Sequence, residues 1–150
     1  MNWYPHTTVA CIVEQNGRFL MVEEKDDGNT VFNQPAGHLD EGETLFAAAL
    51  RETLEETAWE VELRAFLGTY QYLSPHNRTT YVRHCFIAAP LKEHKDRALD
   101  PEIISVHWLT AEHILSRDFA ARSPIVKQVL QDYLDGQHHP LSVIYCHEPE

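Results

Sequence analysis

A glycine loop that runs directly into a glutamate-rich helix restricts what this 150-residue chain can become. Gly37-His38-Leu39-Asp40-Glu41-Gly42-Glu43 leads to Thr44 and then to residues 45–56, which are dense in Ala, Leu and Glu, all strong helix formers. Thr44 is placed to cap the helix, and Gly42 permits a tight turn into it. Glu52, Glu55 and Glu56 stand at i, i+3 and i+4, so a helix turning about 100° per residue gathers them on one side. Like charges at those spacings repel by a few tenths of a kcal/mol each, and by more where water is excluded, so a cation would relieve them. Phe46, Leu50, Thr53, Leu54 and Thr57 form the opposite stripe, which is expected to pack on a core. Arg51 can offset part of the acidic charge through a forked contact to Glu43 across the turn, or to a neighbouring glutamate.

Crowded hard oxygen ligands suit magnesium, manganese or calcium better than zinc. Taken alone, Arg51-Glu52-Thr53-Leu54-Glu55-Glu56 also reads as the solvated helix face of an acidic protein. The longer pattern separates the two readings. At roughly 6–7% per residue type, Gly37, Glu43, Arg51, Glu52, Glu55 and Glu56 at fixed spacing arise by chance on the order of once in 100,000 chains of this length.

Residues 37–59 resemble the Nudix box: a glycine, five residues, a glutamate, seven residues, then Arg-Glu-x-x-Glu-Glu-x-Gly and an apolar residue. Thr53 stands where an aliphatic residue is usual, and Ala58 stands where the family has its last glycine. Alanine can replace that glycine wherever the helix exit does not need positive φ. Thr8-Val9-Ala10-Cys11, Asn33-Gln34-Pro35-Ala36-Gly37-His38-Leu39, Arg122-Ser123-Pro124, Gly136-Gln137 and Pro140-Leu141 extend the resemblance towards phosphatase members of that family. The resemblance implies an α+β fold, a Nudix-type α/β/α sandwich around a mixed β-sheet. It also implies hydrolysis of nucleoside tri- and diphosphates and of thiamine-pathway pyrophosphates, such as hydroxymethylpyrimidine diphosphate and thiamine diphosphate, with release of inorganic phosphate. On the same ground Glu52, Glu55 and Glu56 would ligate one to three magnesium ions, with manganese as the alternative, and the Gly37 carbonyl would add a ligand. Arg51 would serve the catalytic group as its neutralising partner, and Glu52 or Glu55 would take the proton from the attacking water.

The element order agrees with that fold. Residues 7–14 and 18–24 flank Asn16-Gly17, the strongest short-range hairpin signal in the chain, and 29–32 form a short strand leading into a loop at 33–37. After the box helix, 61–72 and 80–89 are aromatic and β-branched runs parted by Ser74-Pro75-His76-Asn77, and 103–109 give a further strand. Residues 111–115 and 125–134 read as helices, the second opened by Ser123-Pro124 and stopped by Gly136. A charged loop is expected at 92–101 and a frayed tail at 147–150. Such an order fits a mixed sheet between helices, in one domain spanning 1–150.

Composition narrows the partners. A net charge of −11, from 23 acidic against 12 basic residues, repels a nucleic-acid backbone, so a small nucleotide or pyrophosphate brought in by cations is the expected substrate. Cys11, Cys85 and Cys146 are odd in number and the first two lie in apolar runs, which reads as buried thiols in a reducing cytoplasm. Residues 1–5 carry no basic region or long apolar stretch, so no signal peptide is expected, and no segment has the roughly 18 to 20 apolar residues of a membrane span. A monomer is expected from the small size.

Substrate contacts are less legible. Asn33 and Gln34 precede the box, and their amides could hold phosphate or ring atoms, or else satisfy their own turn. Tyr70 and Tyr72 share a strand face, where they could stack on a base or simply pack the sheet. Arg83 interrupts an apolar strand and could meet phosphate or pair with a glutamate. Glu102 is an outer ligand or base, or a solvated loop residue. The ten histidines show no HExxH or paired Cys/His spacing, so zinc is not indicated. Within the same fold, an ADP-ribose or oxidised-nucleotide pyrophosphohydrolase is the alternative. From another class, a nucleotide-sensing domain without turnover would be expected to have eroded box carboxylates, and here they are intact.

Overall fold

Strand β1 (His6–Gln15) sets the layering, because its apolar run is buried on both faces. Val9, Cys11 and Val13 turn to one side and Ala10 and Ile12 to the other, as a central strand requires. The computed structural model describes residues 2–147, and residues 148–150 of the tail expected to fray lie outside them. The chain turns at Asn16-Gly17, both at positive φ (53° and 77°), and returns as β2 (Arg18–Asp26). There follow β3 (Asn29–Asn33), β4 (Ala36–His38), helix α1 (Leu45–Thr57), β5 (Trp59–Leu73), β6 (Thr80–Glu93), β7 (Ile103–Thr110), α2 (Ala111–Leu115) and α3 (Pro124–Leu134).

The main path of the sheet is β3-β2-β1-β6-β5, with β4 added to β1 and β7 to β2. β1 and β6 run parallel while the other paired strands described run antiparallel, so the sheet is mixed. β1 and β2 pair only beside their hairpin, at Glu14 with Phe19 and Gln15 with Arg18, and then part. Beyond that point β4 takes the free edge of β1, and β3 and β7 flank β2. One face of the sheet is covered by α2 and α3, through Ile114, Val126, Val129 and Leu130. The other is covered by α1, through Ala48 and Ala49 against Val9, Val13 and Phe86. The result is the expected α+β sandwich of three layers. Cys11 and Cys85 are fully buried free thiols, pushed up to about 12 by desolvation and therefore inert.

Three local expectations change. The stretch at 33–37 is not all loop, because Ala36–His38 adds a three-residue strand to β1. The charged loop begins only at 94, because Lys92 and Glu93 continue β6 opposite Glu60 and Trp59. The packed face of α1 is made of Ala48, Ala49, Thr53 and Thr57, while Leu50 is exposed. Small side chains let this helix lie close to the sheet, and Thr53 and Thr57 donate their hydroxyls to the carbonyls four residues back. The helix exit, which the residues alone leave open, needs positive φ. Ala58 sits at φ 63°, donating its N–H to the Leu54 carbonyl at 2.9 Å. An L-residue there costs roughly 1–2 kcal/mol, so Ala58→Gly is expected to stabilise the protein by about 1 kcal/mol, seen as a rise of several degrees in Tm. A lower Tm would show that Ala58, nearly buried, contributes more by packing than it loses in strain.

The outer edge of β5 is partly covered. Phe66 exchanges two backbone hydrogen bonds of 2.8 Å with His139, and the Gln137 side-chain amide donates to the Leu67 carbonyl at 2.8 Å. Among the described residues, no helix is long and apolar enough to cross a membrane.

Candidate active site

Helix α1 places the acidic residues. Thr44 caps it by accepting from the Ala47 N–H at 3.0 Å, so its first turn points back at the glycine loop. Arg51 is the electrostatic hub. Its Nε and Nη2 fork onto Glu43 at 2.7 and 2.8 Å, its Nη1 donates to Glu52 at 2.8 Å and Glu55 at 3.2 Å, and Nη2 also reaches the His38 carbonyl at 3.0 Å. Asp40 completes the shell at 3.3 Å. The guanidinium holds the Glu43 carboxyl down at about 2, and its own proton is held more tightly than usual, chiefly by Glu43. The loop is thereby tied to the helix at both ends.

Two of the three glutamates face a common cavity of about 330 Å3. The Glu52 carboxyl lies against the Cα of Gly37, where any Cβ would collide with it. Glu56 is 8% exposed and accepts from the Ala36 N–H at 2.9 Å. Burial raises both carboxyls, Glu56 to about 9, and the nearby charges of Glu24, Glu52 and Asp100 push Glu56 in the same direction. Glu55 stands apart. It is held by Arg51 and lies along a shallow recess with Arg97 and Asp100, not in the main cavity.

The opposite wall comes from β2, β3, β6 and the residues before α3. Glu24, 5% exposed, receives Arg122 at 2.7 Å and the Asn33 amide at 3.4 Å. Arg83 does not pair with a glutamate. It donates to the amide oxygens of Gln34 at 3.2 Å and Asn33 at 3.1 Å, and Gln34 is anchored in turn by donating to the Val126 carbonyl at 2.8 Å. Both amides are thus occupied in holding a guanidinium at the cavity wall, and Gln34 itself does not line that wall. Desolvation weakens the hold of Arg83 on its proton, as expected where neutral amides replace a counter-ion. Tyr70 and Tyr72 line the cavity, and the Tyr70 hydroxyl is spent on Asp132 of α3 at 2.7 Å. Glu102 also reaches the rim.

Glu24, Asp100 and Arg122 received no site role from the sequence alone. The available signal was an acidic residue ending the apolar run of β2, where the register slips at Glu23/Glu24. Asp100 is brought in because its N–H donates to the Glu55 carbonyl at the end of α1, at 2.9 Å.

Comparison with known proteins matches residues 4–129 to the NUDIX domain. The chain belongs to the Nudix family. It is 39% identical over 140 residues to the phosphatase NudJ of Escherichia coli strain K12, covering 93% of this chain and 90% of that one. The same figures hold for the phosphatase NudJ of Shigella flexneri. Among solved structures, a NUDIX hydrolase from Nitrosomonas europaea superposes with a TM-score of 0.92 at 35% identity, covering 96% of this chain and 98% of that one. The protein is therefore a Nudix hydrolase, an enzyme of the NudJ-like phosphatase and pyrophosphatase group.

Nudix hydrolases generally use divalent cations, and the donor set here fits one chemically. Glu52, Glu56, Glu24 and Asp100 bring hard oxygens to one cavity, and without a cation Glu56 is driven to its neutral form. Among the described residues, no three acidic, His or Cys side chains are already closed into a coordination shell. Glu52 and Glu55 are turned to Arg51, and Glu56 to Ala36. A bound ion would replace hydrogen bonds that the carboxylates now make inside the protein.

Proposed function

We propose that this Nudix hydrolase cleaves phosphoanhydride bonds of nucleoside tri- and diphosphates and of thiamine-pathway pyrophosphates, including hydroxymethylpyrimidine diphosphate and thiamine diphosphate, in a magnesium-dependent reaction that releases inorganic phosphate. The observation that carries this reading is one cavity lined both by buried carboxylates and by two guanidiniums, Arg83 and Arg122, in a chain 39% identical to a phosphatase.

Glu52 and Glu56, joined by Glu55 on release from Arg51 and by the Gly37 carbonyl, would hold the cation. When bound, magnesium or manganese neutralises phosphate charge and acidifies a coordinated water. Arg83, supported from behind by Asn33 and Gln34, orients the phosphate chain by charge-assisted hydrogen bonds. Glu52 or Glu55 accepts the proton of the attacking water, Arg51 lying against both of them. Tyr70 offers ring surface and no free hydroxyl. The chain is read as a single domain over 1–150, acting as a cytoplasmic monomer.

The test is phosphate and pyrophosphate release from nucleoside tri- and diphosphates, hydroxymethylpyrimidine diphosphate and thiamine diphosphate. With magnesium, inorganic phosphate is expected from at least one member of each class, falling by on the order of 100-fold or more with excess EDTA. Pyrophosphate from nucleoside triphosphates, or turnover only of ADP-ribose or oxidised nucleotides, would instead favour a pyrophosphohydrolase. No release from any of them would point to a sensing domain.

A further inference from the structure

The sheet register places three rings in one row across adjacent strands. Tyr72 of β5 lies opposite Tyr81 of β6, and Tyr81 lies beside His6 of β1. Two residues further along, the same register aligns Tyr70, Arg83 and Thr8, and two residues beyond that it aligns Cys85, Ala10 and Ala36. Side chains two apart on a strand share a face, so these are three successive levels of one surface, each about 7 Å from the next. The first level presents aromatic rings and the second a guanidinium. At the third, the Ala36 N–H is held by Glu56. Tyr72, Tyr81, Arg83 and Glu56 all line the same cavity.

The ring of Tyr81 is fixed before any ligand arrives. Its hydroxyl accepts from the Asn77 amide at 2.9 Å, and His6 meets it edge-on with ring centres 5.6 Å apart. His6 is itself backed by the stacked ring of Tyr4 and by His38 at 3.2 Å. Tyr72 and Tyr81 are only half-buried. They form prepositioned ring surface two levels of the sheet away from Ala36, whose N–H Glu56 holds. A phosphate chain reaching from there to Glu56 passes Arg83.

We propose that Tyr72 and Tyr81 are the seat for a planar aromatic ring carried by the substrate, so that the enzyme selects phosphoanhydrides of aromatic heterocycles over those of aliphatic alcohols. The inference rests on the hydrolytic reading of the site given above and adds to it the determinant of the organic half of the substrate. Stacking on a tyrosine face requires only a π-surface, so the seat accepts different rings.

The test compares uridine diphosphate with ribose 5-diphosphate, which carry the same sugar and the same anhydride and differ in the ring. The readout is the ratio of kcat/KM for the two with magnesium. Tyr81→Ala is expected to lower that ratio about tenfold, mostly through KM for uridine diphosphate, and Tyr81→Phe to restore most of the loss. Equal losses on both substrates, or none on either, would overturn the seat while leaving the hydrolytic function intact. If Tyr81→Ala does not fold, Tyr72→Ala decides by the same ratio. A wild-type protein that hydrolyses neither compound defeats the reading of the site itself, and the seat with it.

Discussion

Replacing Glu56 by glutamine is expected to cut magnesium-dependent turnover by on the order of 10²- to 10³-fold while making the metal-free protein harder to unfold at alkaline pH. Both effects follow from the same burial. Glutamine keeps an oxygen for the Ala36 N–H and removes the charge that a cation would use. An unfolded glutamate titrates near 4.5 and this one near 9, so the folded protein takes up a proton between those values. The stability contributed by neutral Glu56 is complete below about pH 4.5 and is lost as pH rises through about 9. At about 1.4 kcal/mol per pH unit, the chelated wild type loses up to several kcal/mol across that window. The glutamine variant lacks this slope. With EDTA, its Tm should match wild type near pH 5 and exceed it at pH 9, and added magnesium should raise the wild-type Tm more than that of the variant. Parallel pH profiles for the two proteins would show that Glu56 is not the strained group.

Gly37→Ala is expected to separate activity from folding. The new methyl would enter the space of the Glu52 carboxyl, which is the far end of a flexible side chain, so the protein can yield by turning that carboxylate away. Gly37 is not among the glycines at positive φ, so its backbone accepts alanine. The cost in stability is therefore about 1–2 kcal/mol. Activity should fall by about 100-fold, because a catalytic group displaced by an ångström or so no longer meets its partners. A variant with normal kcat and KM would place Glu52 outside the chemistry. A variant that does not fold would show that the loop cannot yield at all.

The folding of α1 could be read from the chain because its determinants are local. Thr44, the run of helix formers and the Arg51–Glu43 fork all lie within eight residues of their partners. The hairpin at Asn16-Gly17 is local in the same sense. The clamp on Arg83 was not legible as a clamp, because Asn33 and Gln34 reach it from 50 and 49 residues away. The role of Glu24 is hidden in the sequence for the same reason, its partner Arg122 being 98 residues distant. The conformation at Ala58 is open in the sequence on different grounds. Alanine hides a left-handed backbone that glycine would have announced, and the hydrogen bond to Leu54 is what enforces it. Strand β4 is only three residues long, too short for an alternating pattern, and exists because β1 leaves its edge open after parting from β2.

The pairing of Phe66 with His139 has a consequence for what can add to the sheet. A fifteen-residue border strand is an invitation to self-association, since its unmet amides and carbonyls can template a second copy. The tail beyond α3 fills part of that vacancy with its own backbone and with the Gln137 amide. Shortening the protein ahead of residue 137 would strip this guard, and fibrous or tangled aggregates would compete with the folded form.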